Sequence, residues 1–413
     1  MAALLGALNK DGLSQLTYEG LMAKVLAGIP GHKGKRKGEL IQHPQCEGRN
    51  KQRAVFDGRA LGWNRRLVPI ALLSKERVRI ETGAIHGVAL GSEFGVWPEK
   101  NATIDPPRGR LVATEVFSVY SFVKAEAGFA PQHGWYAGVS WWANAGDPCY
   151  LAFREETAQD ECQRVLAERL QLASSGQSRD GIEVAGVLGK PAVPLISVRD
   201  RVMKVERTDP YTGAVDVELP CPGPKEGLEL LNRILRFELH LARTNPANPL
   251  LRTLEFSIVR VDAGGTPVSQ NLFDELHRAF LPNDDANYHF IVTNKGSNPL
   301  WVFVYYFDPA TYTVAEFYAP PSNTMEPPLK PNNKLIIGNE NSGVHPFSFI
   351  MKEGLEEDSG FAKIFVSETY TDLAMLEEQD EFIYVDPRRT RAGTALSKHG
   401  VWDSMVTTIT VRR

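Results

Sequence analysis

Nucleophilic cysteine chemistry needs a thiolate with an imidazole in hydrogen-bond reach, because a free thiol is mostly protonated at neutral pH. One stretch of the chain could supply such a pair: His133-Gly134, followed by Asp147-Pro148-Cys149. The interval from Gly134 to Cys149 is too short to hold a helix and a strand between the two groups, and Pro148 and Tyr150 flank the thiol. Cys149 therefore reads as a small core residue, the common role of a free cysteine. A cysteine hydrolase using Cys149 with His133 stands as the weaker alternative.

Other chemistry is not indicated. Cys46, Cys149, Cys162 and Cys221 form no C-x-x-C pair and read as reduced thiols, and the nine histidines include no i, i+4 pair. Gly28 to Lys35 comes nearest to a phosphate loop, but its glycines are misplaced and Arg36 stands where the magnesium-binding hydroxyl belongs. Glu353, Glu356, Glu357 and Asp358 lack the ligand alternation and central glycine of a calcium loop, so they read as a solvated turn. Glu377, Glu378, Asp380 and Glu381 read as an acidic surface, and Lys33 to Lys37 as an exposed basic loop. Trp135, Trp141 and Trp142 read as core aromatics rather than a stacking platform. Catalytic, cofactor-binding and metal-binding residues are all expected to be none.

Bulk properties point the same way. With 413 residues, 43% hydrophobic and 23% charged, the chain should fold into several compact units. A net charge of -4 leaves no footprint for nucleic acid. No apolar run is long enough for a membrane span and the start lacks a basic leader region, so a cytoplasmic location, with a nuclear one open, is expected and the triplet Asn101-Ala-Thr103 should go unglycosylated.

The elements that would position any site are mostly strands. Ala2 to Lys10 reads as a helix entered midway, followed by a second helix to Gly28 and a short strand at Ala54-Val55-Phe56. From Leu67 to Trp142 alternating apolar positions predict a small antiparallel β unit, with Gly83, Gly87 and Gly91 supplying turns at positive φ. Helices are predicted over Glu155 to Leu172 and Gly227 to Leu241, with strand-like pieces at Ile182-Val184 and Val202-Val205, and a domain boundary at the turn Asn245 to Pro249. Eight strands then argue for a β-sandwich: Thr253 to Val261, Tyr288 to Thr293, Leu300 to Phe307, Thr313 to Tyr318, Lys334 to Ile337, Pro346 to Met351, Ala362 to Val366 and Met405 to Arg412. Among them Trp301 to Phe307 is apolar on both faces, which predicts a strand covered on each side.

One stretch is specific enough to suggest a family. Leu16-Thr17-Tyr18-Glu19-Gly20-Leu21-Met22, Ile29-Pro30-Gly31, His43-Pro44-Gln45-Cys46-Glu47-Gly48-Arg49-Asn50 and Arg53-Ala54-Val55-Phe56 resemble the closing segment of the caspase domain in basidiomycete caspase-like (metacaspase-type, peptidase C14) proteins. Segments such as Thr82 to Gly91, Arg236 to Leu241, Tyr305 to Pro309, Ile336 to Gly338 and Gly360 to Ser367 are similar to the long C-terminal extension of the same proteins. The basic insertion Lys33 to Leu40 departs from that pattern. The resemblance implies that the catalytic His and Cys lie upstream of the first helix, so this chain would be a non-catalytic, regulatory or scaffolding portion of a cysteine endopeptidase, partnered by the missing half or by related peptidases. A complete, non-enzymatic interaction protein is the alternative. The expected fold class is α+β, predominantly antiparallel β: residues 1–60 as the end of a caspase-like α/β sheet, 61–146 as a small β domain, 147–250 as a mixed α/β region and 251–413 as a β-sandwich.

Overall fold

Alternation of apolar and polar residues at period two marks most of the regular elements after residue 66 as strands, and the computed structural model folds them that way. It describes residues 67–378 and 401–413, apart from short segments at 75–76, 100–105, 144–148, 179–180, 185, 189–193, 210–212, 248, 321–324 and 352–353. The readings made for residues 1–66, including the caspase-like motif and the basic loop, lie outside the described residues. The architecture is α+β and strand-dominated, with two α-helices among the described residues.

Residues 68–141 close into a six-stranded antiparallel barrel. Its strands are β1 (Val68–Leu72), β2 (Val78–Ile80), β3 (Glu93–Trp97), β4 (Gly109–Val116), β5 (Ser121–Ala125) and β6 (Tyr136–Trp141), in the order β1-β2-β5-β4-β3-β6. Inward residues such as Ile70, Ile80, Phe94, Val96, Leu111 and Val123 fill it with a core of its own. Closure leaves no open sheet edge, which a flat sheet of this length would expose. Of the three turn glycines, Gly87 and Gly91 have the expected positive φ, but Gly83 is extended at φ -133°. Its requirement is space: a Cβ there would lie 2.2 Å from the Phe117 carbonyl oxygen.

A mixed sheet follows, built from β7 (Cys149–Phe153), β8 (Gly186–Leu188), β9 (Leu195–Arg199), β10 (Val202–Asp209) and β11 (Gly213–Pro220), in the order β11-β10-β9-β7-β8. Parallel pairing of β7 with β8 requires a crossover, and α1 (Glu161–Ser174) provides it. The helix begins later than the apolar pattern predicts, because Asp160 caps it by accepting from the Gln163 amide at 3.1 Å while residues 155–157 form a separate tight turn. α2 (Pro224–Ala242) opens on a proline at its first position and stops ahead of Asn245-Pro246, where the residue before proline resists helical backbone. Gly227 lets α1 and α2 cross closely: a Cβ there would meet both the Cys162 and the Cys221 sulfur at 2.9 and 3.0 Å.

The last part is a sandwich of two sheets. β12 (Leu254–Val261), β14 (Asn287–Asn294) and β17 (Asn333–Ile337) form one, in the order β12-β14-β17. β13 (Arg278–Pro282), β15 (Trp301–Asp308), β16 (Thr313–Tyr318), β18 (Glu357–Ser367) and β19 (Trp402–Arg412) form the other, in the order β13-β19-β18-β15-β16. Two expectations are corrected here. Pro346 to Met351 is not a strand, since only Phe347 bridges to Tyr288 and Pro346 has no amide to donate. Arg278–Pro282 is one, paired in parallel with β19 at the far end of the sequence.

The predicted two-faced strand is β15. Trp301, Phe303, Tyr305 and Phe307 enter the core beneath α2, whereas Val302 and Val304 enter the core between the two sandwich sheets. The first of these cores also takes in Ile196, Val198, Met203 and Val205 from the mixed sheet, so it runs unbroken across the turn at Asn245 to Pro249. Ring contacts of Phe237 with Phe307 at 5.3 Å and with Tyr312 at 4.9 Å fix the helix on the sandwich.

Candidate functional site

A group of buried polar side chains lies where the C-terminus of α2 meets the sandwich and the barrel. A helix end leaves its last carbonyls without intrahelical donors. Lys363, fully buried on β18 between Phe361 and Phe365, supplies the donor: its Nζ bonds to the Leu241 carbonyl at 2.7 Å and to the Arg243 carbonyl. Ser404 Oγ donates to the same Arg243 carbonyl at 2.8 Å, and Asn245 Nδ2 donates to the Trp402 carbonyl at 2.6 Å. A cation at the negative end of the helix dipole is favourable. Burial, with the nearby Arg243 charge second, still pulls the Lys363 ammonium well below the ordinary lysine range.

Arg243 follows the last turn of α2, and its guanidinium points back into the joint. Nη1 donates to His240 Nδ1 at 2.8 Å, and Cζ sits 5.0 Å from the centre of the Phe365 ring. Nε and Nη2 are buried and have no acceptor among the described residues. Burial brings this guanidinium down to about 9. The His240 ring meets the edge of Trp142 at 5.8 Å, which carries the contact to the strand-end where the barrel passes into the mixed sheet.

His86 joins the barrel to the segment after β18. Its Nδ1 accepts from the Gly83 amide at 2.9 Å, so the proton is on Nε2, which donates to the Asp372 carbonyl at 3.1 Å beside Thr371 Oγ1. Complete burial, with Arg243 adding to it, lowers this imidazole to about 3. It is neutral at physiological pH and bound at both nitrogens.

Two further buried constellations brace α2. Arg236 is bidentate to Glu378 at 3.0 and 2.9 Å and reaches Glu183 at 2.5 Å. Burial opposes its charge, but the two carboxylates outweigh it and raise the guanidinium further. Asn232 accepts from the Glu183 amide at 3.0 Å and donates to the Gly181 carbonyl at 2.6 Å, standing in for a strand partner. At the crossing of α1 and α2 the Cys162 and Cys221 sulfurs are 3.5 Å apart. Burial raises both thiols, Cys221 to about 12.

The candidates singled out in the sequence fall elsewhere. His133 is exposed in the turn ahead of β6, and Cys149 opens β7 opposite Gly186 in the mixed sheet. The six residues of β6 put about 20 Å between the His133 turn and Trp142, where the chain reaches that sheet. Trp141 and Trp142 are buried in the core and Trp135 is half-buried against Phe129. Glu356 faces Arg413 at 3.7 Å on the surface. The acidic-surface reading of Glu378 is corrected, because it is held inward by Arg236 and its backbone bridges Val314. Asp380, Glu381 and Glu353 lie outside the described residues. Among the described residues no group of three or more His, Cys, Asp or Glu side chains could hold a metal ion, and no helix is long and apolar enough to cross a membrane.

Sequence reasoning passed over Lys363, Arg243, His86 and the Cys162–Cys221 pair. A signal existed for Lys363: in Phe361-Ala-Lys-Ile-Phe365 the lysine shares a strand face with two phenylalanines, which places a charge inside. Comparison with known protein families, with curated proteins and with solved structures finds no match for this chain.

Proposed function

We propose that this chain is a non-catalytic portion of a caspase-like cysteine endopeptidase, acting as a rigid scaffold or regulatory body. One observation carries the scaffold reading: the end of α2 is locked to the sandwich by Lys363 and Ser404, over a core continuous with the mixed sheet. The histidines best placed for acid–base work, His86 and His240, accept at Nδ1 from the Gly83 amide and from Arg243, and these bonds hold layers together. The family link rests on the resemblance of the segments within residues 16–56. The test is hydrolysis of peptides with a basic or an acidic residue before the scissile bond, using the full chain and Cys149→Ala in parallel. The expected result is no turnover from either. Turnover that disappears in Cys149→Ala overturns the proposal in favour of a cysteine hydrolase.

A further inference from the structure

Buried charge without a partner is costly, and a guanidinium does not escape the cost by losing its proton at neutral pH. Arg243 is in that position. Among the described residues its acceptor is His240 Nδ1, and Nε and Nη2 have none. No carboxylate among the described residues pairs with it; burial alone accounts for its lowered pKa. Phe365 offers the face of a ring, which attracts the cation but satisfies no N–H. The contrast with Arg236, which lies on α2 and is tied to the carboxylates of Glu183 and Glu378, shows what a balanced buried guanidinium looks like in this fold.

A third donor is oriented into the same place. Trp142 is buried, and its indole Nε1 has no acceptor among the described residues. Trp142 Nε1 and Arg243 Nη1 stand 3.5 and 2.9 Å from where a Cβ on Gly87 would lie, the second too close for a carbon, so the glycine leaves the guanidinium its room. Gly87 has φ +86°, a backbone that also favours glycine. N–H donors from the residue after α2 and from the barrel end thus meet at one corner of the joint, next to the Lys363 ammonium, which approaches the same Phe365 ring at 5.3 Å.

We infer that this joint between barrel, helix and sandwich binds one small inorganic anion of halide size, held by Arg243 Nε and Nη2 and by the Trp142 indole. Such an anion supplies both missing quantities, a negative charge and an acceptor for converging donors. Water would supply only the second. The site links three layers, so occupancy favours the assembled fold over the unfolded chain.

The test uses the full chain, freed of chloride in sodium gluconate, with chloride exchanged in at fixed ionic strength so that general screening stays constant. Unfolding equilibria should shift with chloride, and each tenfold increase above the dissociation constant should raise the folded-to-unfolded ratio about tenfold, the response of one site per chain. Broadening of the chloride-35 magnetic resonance line by the protein reports binding independently. Arg243→Met should remove both effects. Trp142→Phe, which keeps a ring in the core and deletes a single donor, should weaken chloride binding several-fold, and it decides the matter if Arg243→Met does not fold. Absence of any chloride dependence in the unsubstituted chain overturns the proposal. So does a dependence that Trp142→Phe leaves unchanged.

Discussion

Lys363 Nζ donates to the Leu241 carbonyl at 2.7 Å, so a strand in the centre of the sandwich closes the end of a helix that belongs to the layer before it. The bond replaces water that the helix end would otherwise keep, and it lets α2 terminate inside the protein. Lys363→Met retains most of the stem but leaves the Leu241 carbonyl buried without its donor. A loss of about 2 kcal/mol is expected, the cost of one or two stranded acceptors offset by removal of an ammonium that is itself poorly solvated. Urea unfolding of the two proteins measures it, and equal midpoints would mean that the stem alone does the work.

His86 gives the fold an acid limit. Its folded-state value of about 3 lies below the ordinary 6.5, so between those values the unfolded chain binds a proton that the native one refuses. Stability from this residue is therefore complete above about pH 6.5 and falls as the pH drops towards 3. Over the full window the loss is about 5 kcal/mol. Arg243, the charged group facing it, acts in the same direction as burial. Denaturant unfolding at pH 7 and pH 4 should show a drop of several kcal/mol, and His86→Gln should flatten it; an unchanged slope in the variant would assign acid sensitivity to other groups.

The Cys162–Cys221 pair should be chemically quiet. With Cys221 near 12 against an ordinary 9.0, its thiolate fraction at pH 8 is lower by a factor of about a thousand, and the sulfurs are buried as well. Alkylation by iodoacetamide, mapped by peptide mass spectrometry, should proceed at Cys221 about a thousandfold more slowly in the native protein than in guanidinium, and at Cys162 more slowly as well. Native labelling at the unfolded rate would show that the crossing of α1 and α2 opens readily.

How much of this was legible in the sequence depends on the range of the interaction. The unbroken apolar run Trp301 to Phe307 specified a strand with two apolar faces, and β15 feeds two different cores from them. Thr313–Tyr318 has the predicted bounds, because its turn residues are local. β13 escaped notice since five residues that pair in parallel with β19 have no local partner to reveal them. The same limit hid the cysteine pair, in which Cys162 on α1 meets Cys221 from the turn between β11 and α2. Lys363 was visible as a charge on an apolar face, but nothing nearby in sequence says that its acceptors are carbonyls at Leu241 and Arg243.

Arg236 separates a paired buried charge from a merely buried one. Arg236→Met strands Glu378 and Glu183 together, and Glu378 has little water to turn to. The expected loss is about 3–5 kcal/mol, as for removal of one member of a buried ion pair. Glu378→Gln keeps an acceptor for the guanidinium and leaves Glu183 in place, so it should cost about half as much or less. Unfolding midpoints of the two variants in urea rank the effects, and the reverse order would show that Glu378, rather than Arg236, anchors the group.

Gly83 tests whether space or backbone conformation selects a glycine. Its φ of -133° is open to any residue, so conformation poses no obstacle to alanine. The obstacle is the loop that packs on it: a Cβ would lie 2.2 Å from the Phe117 carbonyl oxygen and 2.5 Å from the Tyr120 nitrogen. Both are backbone atoms, which cannot swing aside as a side-chain end can. Gly83→Ala must therefore push the 117–120 loop off the barrel, and the Gly83 amide that orients His86 moves with it. A loss of about 3 kcal/mol or more follows from such overpacking. Gly128 provides the contrast, with φ +82° and no atom within 4 Å of its Cβ position, so Gly128→Ala should cost only the left-handed backbone strain of about 1 kcal/mol. Thermal unfolding of the pair decides it: a Gly83→Ala protein no less stable than Gly128→Ala would mean that the 117–120 loop yields freely, and that His86 is held from the Asp372 side alone.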